Sequence, residues 1–291
     1  MSRIAYVNGR YSAHSRASIH IDDRAHTFAD GVYEVILVVN RHMIDLDDHF
    51  RRLDRSLTEL DIPRPMTERV LTHIMNRTIH LNRVVDGIVY LQISRGAAPR
   101  NHVFDNASLT PGVVCTARRL TVPATSRDIS GVEVITLPDT RWTRVDIKSV
   151  SLLPNVLART MAAGRGAYEA WFVDGKGLVT ECAASNAWIV DSSGCLVTRS
   201  VRDGILRGIT RERLMALASE LSIEVVERPF SVAEAKGARE AFLTSTTSIV
   251  KAVSRIDDTV IGNGHPGHVT CRLLDAYLDF ARRQALPGRV S

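Results

Sequence analysis

Lysine is the scarce residue of this 291-residue chain. Lysine and arginine together number 37, yet lysine stands only at positions 148, 176, 236 and 251. Cysteine is sparse as well: Cys115, Cys182, Cys195 and Cys271 form no C-x-x-C pair. That spacing favours free thiols in a reducing, cytoplasmic setting over a disulfide frame or a zinc site. No stretch approaches ~18 apolar residues, so no conventional membrane span is expected. The start, Met1 to Tyr6, has no long apolar segment of the signal-peptide kind. The net charge of +5 comes from scattered arginine, with no basic run and no aromatic-interleaved patch. Nucleic acid is therefore not an expected partner, whereas anionic small molecules or phosphate groups suit the charge. Internal repeats and low-complexity segments are absent.

What is present divides the chain. Ile4 to Val7 and an Asn8-Gly9 dipeptide predict a strand and a hairpin turn. Val32, Val35, Leu37 and Val39 predict a β-branched strand. Leu46, Phe50, Leu53, Leu57 and Leu60 recur at helical steps, with Asp47 or Asp48 as a cap and Pro63 and Pro65 as stops. A second helix carries Val70, Leu71, Ile74, Met75 and Ile79, and strands follow at 87–94 and 112–116. The polar stretch Arg118 to Asp128 reads as an interdomain linker, centred on 121–128. The expected division is a small N-terminal α+β domain at 1–120 and a C-terminal domain at 129–291. In the latter, 155–164 predicts a helix, and short strands at 168–173, 177–181, 186–190 and 195–198 suggest a barrel-like or sandwich sheet. Thr210 opens a helix, 223–226 returns as a strand, and 269–283 closes as a helix. Runs of neighbouring strands make the fold class α+β.

Among the lysines, Lys176, Lys236 and Lys251 have plain surface readings in a turn, at a helix end and on an alternating strand. Lys148 follows Ile147 and precedes Ser149 and an apolar run. A partly desolvated ammonium favours its neutral, nucleophilic form, although a strand-end lysine also snorkels to water. Gly208-Ile209-Thr210-Arg211 places a helix start after a loop, a ready phosphate site if it is more than an ordinary cap. Thr244 to Ser248 offers five hydroxyl residues at a strand end, a second candidate for phosphate or a plain Ser/Thr turn. Glu181, among small residues between two strands, suits a protonated ring nitrogen or is a solvated loop charge. Arg100 and His102 share one side if their segment is extended, and such a pair suits a carboxylate. Tyr33 follows a glycine turn with a phenol for a cavity. His265 and His268 lack a third ligand, so no metal is expected.

In this order, Asp30-Gly31-Val32-Tyr33-Glu34, His49-Phe50-Arg51-Arg52-Leu53, Arg95 through His102, Arg141 through Lys148, Asn155-Val156-Leu157-Ala158, Thr180-Glu181, Ser185-Asn186, Gly208 through Arg211 and Thr244 through Ser248 resemble one family. It is the fold-type IV family of pyridoxal-phosphate-dependent enzymes, in its branched-chain and D-amino-acid aminotransferase class, nearest the D-amino-acid branch. The resemblance covers nearly the whole chain. It implies a smaller N-terminal α/β sandwich and a larger C-terminal pseudo-barrel that binds the cofactor pyridoxal 5'-phosphate. It implies that Lys148 is the Schiff-base lysine and proton shuttle, and that Glu181 pairs with the pyridine nitrogen. Arg52, Ile209, Thr210, Ser245 and Thr246 would hold the phosphate, and Leu206 would pack on the ring. Tyr33, Arg100 and His102 would bind the substrate carboxylate, with Arg100 and His102 reaching a neighbouring subunit's site in a homodimer.

The activity so implied is ping-pong transfer of an amino group between D-amino acids, such as D-alanine and D-glutamate, and 2-oxo acids, such as pyruvate and 2-oxoglutarate. Alternatives within the fold are a branched-chain L-amino-acid or (R)-amine transaminase. Outside enzymes, a vestigial binding module is the rival. Two positions depart from the family pattern. Cys182-Ala183-Ala184 replaces glycine and serines after the glutamate, and Pro154 stands where glycine is frequent.

Overall fold

Asn8 and Gly9 both take positive φ, 45° and 91°, the backbone a two-residue hairpin needs to follow strand twist. They join β1 (Ile4–Val7) to β2 (Arg10–Ala13), with Val7 opposite Arg10. The computed structural model describes residues 3–286. It divides into two compact units: Met1–Val122 with Ile147–Ser151 and Arg282–Ser291, and Pro123–Asp146 with Leu152–Ala281.

The first unit continues with α1 (Arg24–Phe28), β3 (Gly31–Val39), β4 (His42–Met43), α2 (Leu46–Glu59), α3 (Glu68–Leu81), β5 (Gly87–Ser94) and β6 (Gly112–Arg119). Its six strands lie in the order β2-β1-β6-β5-β3-β4, every pair antiparallel. Alternation along β3 puts Val32, Ile36 and Val38 into one core with Phe50, Leu53 and Leu57 of α2 and Leu71, Ile74, Met75 and Ile79 of α3. Each such side chain contributes about 1.5–3 kcal/mol when fully buried. A capping bond is worth only ~1 kcal/mol, so packing decides where α2 forms. The N-cap of α2 is Asp45, in the left-handed region at φ 54°, and its side chain makes no capping bond. Asp47 and Asp48, the expected caps, sit inside the first turn and act there on the helix dipole.

The second unit holds β7 (Val132–Pro138), α4 (Leu153–Gly164), β8 (Glu169–Val173), β9 (Val179–Cys182), β10 (Asn186–Val190), β11 (Leu196–Thr198), α5 (Ile209–Glu220), β12 (Val225–Glu227), α6 (Val232–Lys236), β13 (Glu240–Ser245), β14 (Ile249–Ile256), β15 (Thr259–Val260) and α7 (His268–Gln284). The strands run β12-β11-β10-β13-β14-β7-β8-β9, with β15 beside β14. The sheet is mixed, since β7 lies parallel to both β14 and β8. Its edge strand β9 curls back to β10, where the Cys182 N–H donates to the Ser185 carbonyl at 2.8 Å. Val134, Trp171, Ile189, Leu243 and Val253 fill this half-barrel, and Trp188 stacks on Phe242 at 5.6 Å. Pro154 lies in the first turn of α4, where its missing N–H costs nothing. The fold class is α+β, with a helix-covered antiparallel sheet in one unit and a curled mixed sheet in the other.

Candidate active site

In the first unit, the five residues Ile147–Ser151 extend the start of β3. Ile147 is buried in the α2/α3 core. The Tyr33 N–H donates to the Lys148 carbonyl at 3.0 Å, Ser149 pairs with Val32, and the Val150 N–H donates to the Gly31 carbonyl at 3.0 Å. Gly31 is required by close approach, because a Cβ there would stand 2.8 Å from the Ile93 carbonyl oxygen. The Lys148 N–H reaches Ser56 Oγ of α2 at 3.3 Å. Lys148 is thus fixed at its backbone from both sides. Its Nζ stands 4.3 Å from the centre of the Tyr33 ring, and that ring stacks on Tyr90 at 5.6 Å. An ammonium over an aromatic face is attracted by the ring quadrupole, which aims the amine along Tyr33.

Arg52 lies on the buried face of α2. Its Nε and Nη2 donate to Glu34 Oε1 and Oε2 at 2.8 and 2.7 Å, and His49 Nδ1 meets Glu34 Oε2 at 2.7 Å. Burial pushes the Glu34 carboxyl up, but the Arg52 charge and the bonds from Arg52 and His49 outweigh it and bring Glu34 down to about 2. Burial lowers His49, against the pull of Glu34. The structure therefore puts the expected phosphate ligand in a forked ion pair with a glutamate that the sequence did not single out.

Arg100 and His102 are exposed, and their segment is bent where an extended one was expected. They nevertheless meet at one place. The Arg100 guanidinium and the His102 ring each lie 5.1 Å from the Phe28 ring. Buried Arg24 ties this loop down, donating to the Asn101 and His102 carbonyls at 2.6 and 3.3 Å and to Asp30 at 2.8 Å. Arg95 donates to the same Asp30 oxygen at 2.8 Å.

In the second unit, Glu181 is 5% exposed on β9. Its Oε1 accepts from Arg141 Nη1 at 2.5 Å and from the Leu206 N–H at 3.1 Å, and its Oε2 accepts from Asn186 Nδ2 at 3.0 Å. Burial raises the Glu181 carboxyl, although Arg141 works the other way. Asn186 Nδ2 also donates to the Leu206 carbonyl at 3.0 Å, which locks Leu206 beside Glu181. On the other side of Asn186, a Cβ on Gly208 would stand 2.0 Å from its Oδ1. Asn186 pairs with Thr244 across β10 and β13. One asparagine therefore gathers Glu181, the start of α5 and the end of β13.

Gly208 is the N-cap of α5 and has no side-chain cap, so the first-turn N–H groups of Ile209 and Thr210 lack intrahelical acceptors. In the facing turn the Ser248 N–H donates to Ser245 Oγ at 3.1 Å, and Ser245 and Thr247 hydroxyls lie 3.3 Å apart. Thr246 is half-buried between them. Ile249 then takes φ 56°, a left-handed conformation that a β-branched residue adopts only under constraint. Helix dipole, open N–H groups and hydroxyls together have the chemistry that suits an anion such as a phosphate.

Residues 31–256 match the Amino-transferase class IV family. The chain belongs to that family. A D-alanine aminotransferase of Bacillus licheniformis is 38% identical over 263 residues, covering 90% of this chain and 92% of that protein. A D-alanine aminotransferase of Listeria innocua is 35% identical, covering 94% of each. Among solved structures, a T.th. branched-chain amino acid aminotransferase with pyridoxamine 5'-phosphate superposes with a TM-score of 0.88 at 22% identity, covering 98% of this chain and 95% of that one. That likeness establishes the fold, fold type IV. Around the candidate residues of each unit stand partners to which sequence reasoning gave no role. Arg141 stood in a noted stretch but received no role, because its partner Glu181 lies 40 residues on. Glu34, His49 and Asn186 likewise stood in noted stretches without a role, and Ser56 was not noted, because their contacts depend on pairings no local pattern reveals.

Proposed function

We propose that this chain is a pyridoxal-phosphate-dependent D-amino-acid transaminase, acting on D-alanine and D-glutamate with pyruvate and 2-oxoglutarate. The observation that carries the transaminase reading is Glu181, a buried carboxylate held by Arg141, Asn186 and the Leu206 N–H. The D-configuration rests on the two relatives named above and on the gathering of Arg100 and His102 at Phe28.

The residues fit the cofactor's chemistry: an amine on a fixed backbone, a buried carboxylate, and a cradle kept open by Gly208, where a Cβ would meet Asn186. Pyridoxal phosphate, when bound, supplies an electron sink for the α-carbon. Lys148 would carry it covalently and would then take and return the proton at the substrate α-carbon. Its clamped backbone limits the amine to one approach, so the same face is served in both half-reactions. Glu181 would keep the ring nitrogen protonated, as a buried anion beside a cation does best in a low dielectric. Leu206, tied to Glu181 through its N–H, would pack on the ring. Ile209, Thr210, Ser245 and Thr246 would hold the phosphate. Arg52, paired with Glu34, would add its positive charge to the phosphate's surroundings. Tyr33, Arg100 and His102 would fix the substrate carboxylate and so choose which α-hydrogen faces Lys148.

A homodimer is part of this reading, because Arg100 and His102 would serve a neighbouring subunit's site. The apolar face of α4 supports it, with Leu153, Val156, Leu157 and Met161 at 68, 55, 60 and 47% exposure. Among the described residues no helix is long and apolar enough to cross a membrane, and the four cysteines are free. We place the enzyme in the cytoplasm. The decisive experiment is a coupled assay of D- and L-amino-acid panels with 2-oxoglutarate and pyruvate. Turnover of D-alanine and D-glutamate is expected, and activity confined to branched-chain L-amino acids would sink the proposal.

A further inference from the structure

Glu181, the proposed ring-nitrogen ligand, shares one buried guanidinium, that of Arg141, with a second carboxylate, Asp139. Asp139 Oδ1 accepts from the Arg141 N–H at 3.1 Å and from its Nε at 2.9 Å. Asp139 Oδ2 accepts from Arg141 Nη2 at 2.7 Å and from Thr180 Oγ1 at 2.8 Å. Only Nη1 of Arg141 goes to Glu181. The side chains of Arg141 and Glu181 are each 6% exposed, and the guanidinium lies 4.7 Å from the Phe172 ring centre. With the three groups charged, the cluster carries one net negative charge, and a forked two-point pair fixes Arg141 on Asp139 more firmly than a single contact fixes it on Glu181.

From this geometry we infer that Asp139 is a positioning residue that, by holding the Nε/Nη2 edge of Arg141, leaves Glu181 with the negative charge needed to retain a protonated pyridine nitrogen. The inference rests on the assignment of Glu181 to that nitrogen. Without Asp139, Arg141 would neutralise Glu181 alone, and the cluster would meet the ring cation with no net charge. The two carboxylates already behave unequally on the one guanidinium. Burial raises both, but for Asp139 the bonds and charge of Arg141 and the Thr180 hydroxyl outweigh it and hold the group below its usual range. For Glu181 burial prevails, and the carboxyl lies above its usual range. The Asp139 charge adds to that rise, and Arg141 gives Asp139 two guanidinium donors, Nε and Nη2, against one for Glu181. Thr180 precedes Glu181 on β9 and donates to Asp139, so strand and loop are fastened at the residue next to the one being tuned.

The test compares two probes of the full-length apoprotein: pyridoxal phosphate and its analogue with CH in place of the ring nitrogen. The ratio of their dissociation constants isolates the nitrogen contact from the phosphate contacts, and the cofactor's absorbance bands give a second readout. In the wild type the natural cofactor should bind tighter. Asp139→Asn should shrink that preference by about tenfold, the equivalent of one pKa unit, while affinity for the analogue stays unchanged. Asp139→Glu, which keeps the charge, should restore most of the preference. If Asp139→Asn does not fold, Asp139→Ser, which leaves room for water at the guanidinium edge, carries the same expectation. Glu181→Gln separates the two ideas. An unchanged preference in Asp139→Asn with a lost preference in Glu181→Gln overturns the role of Asp139 alone. An unchanged preference in both overturns the assignment of Glu181 and the inference with it.

Discussion

Glu34 sits between Arg52 and His49 with 1% exposure, and its replacement has a signed consequence. The folded carboxyl titrates at about 2, below its ordinary value of 4.5. Its stabilising contribution is therefore complete above pH 4.5 and is lost as pH falls toward 2. His49, kept neutral by burial, adds to acid sensitivity, because unfolding lets it take up a proton below its ordinary value of 6.5. Glu34→Gln leaves Arg52 buried without its counter-charge, a loss of about 3–5 kcal/mol. Urea unfolding should show that deficit at pH 7 and a narrower gap at pH 3. At this scale Lys148 was legible because lysine is rare and because its neighbours are apolar. Arg52 was legible only through the family resemblance. Its partner Glu34 lies 18 residues away across an α2/β3 contact, and no spacing rule links a strand position to a helix position at that distance.

Periodicity reveals elements better than it reveals their ends. The steps from Leu46 to Leu60 gave α2 because its apolar stripe is what the core buries. Its cap was misplaced, since the left-handed turn at Asp45 is set by the β4 hairpin before it, where the Ile44 N–H donates to the Leu37 carbonyl. The strand β7 left no clear signal. It lies between two parallel neighbours, and its apolar alternation breaks at the adjacent Val134 and Ile135, both buried, where the strand passes between those neighbours. At the start of α5, Gly208→Ala should force Asn186 aside and loosen Leu206 and Glu181 together. The expected result is an unfolding midpoint little changed for apoprotein but with most of the rise on adding pyridoxal phosphate lost, a rise worth about 2.7 kcal/mol at a hundred times Kd. The loop carrying Arg100 and His102 depends on Arg24. Arg24→Met removes its bonds to two carbonyls, while Asp30 keeps Arg95. KM for D-alanine should rise by about tenfold, with kcat much less affected, the pattern of lost binding shared by ground and transition states.

At the largest scale, α4 carries an exposed apolar stripe of Leu153, Val156, Leu157 and Met161, which the proposed dimer would cover. Leu157→Asp should turn a dimer into a monomer in sedimentation velocity, and a wild type that sediments as a monomer at micromolar concentration would refute the dimer. The broad class of each unit was readable in sequence, because runs of neighbouring strands exclude strict alternation with helices. Membership of residues 147–151 in the first unit was not. Those five residues lie beyond the expected linker, and their pairing with β3, the Lys148 N–H bond to Ser56 and the burial of Ile147 assign them. That membership bears on how the chain is made. Residues 147–151 are synthesised after residues 1–122, so the Gly31 carbonyl and the Tyr33 N–H meet their partners only after the strands and helices of the first unit have been made. Lys148, proposed above to carry the cofactor, is delivered on the same strip. A chain truncated before residue 147 would lose both the pairing partners of β3 and the proposed cofactor lysine at once.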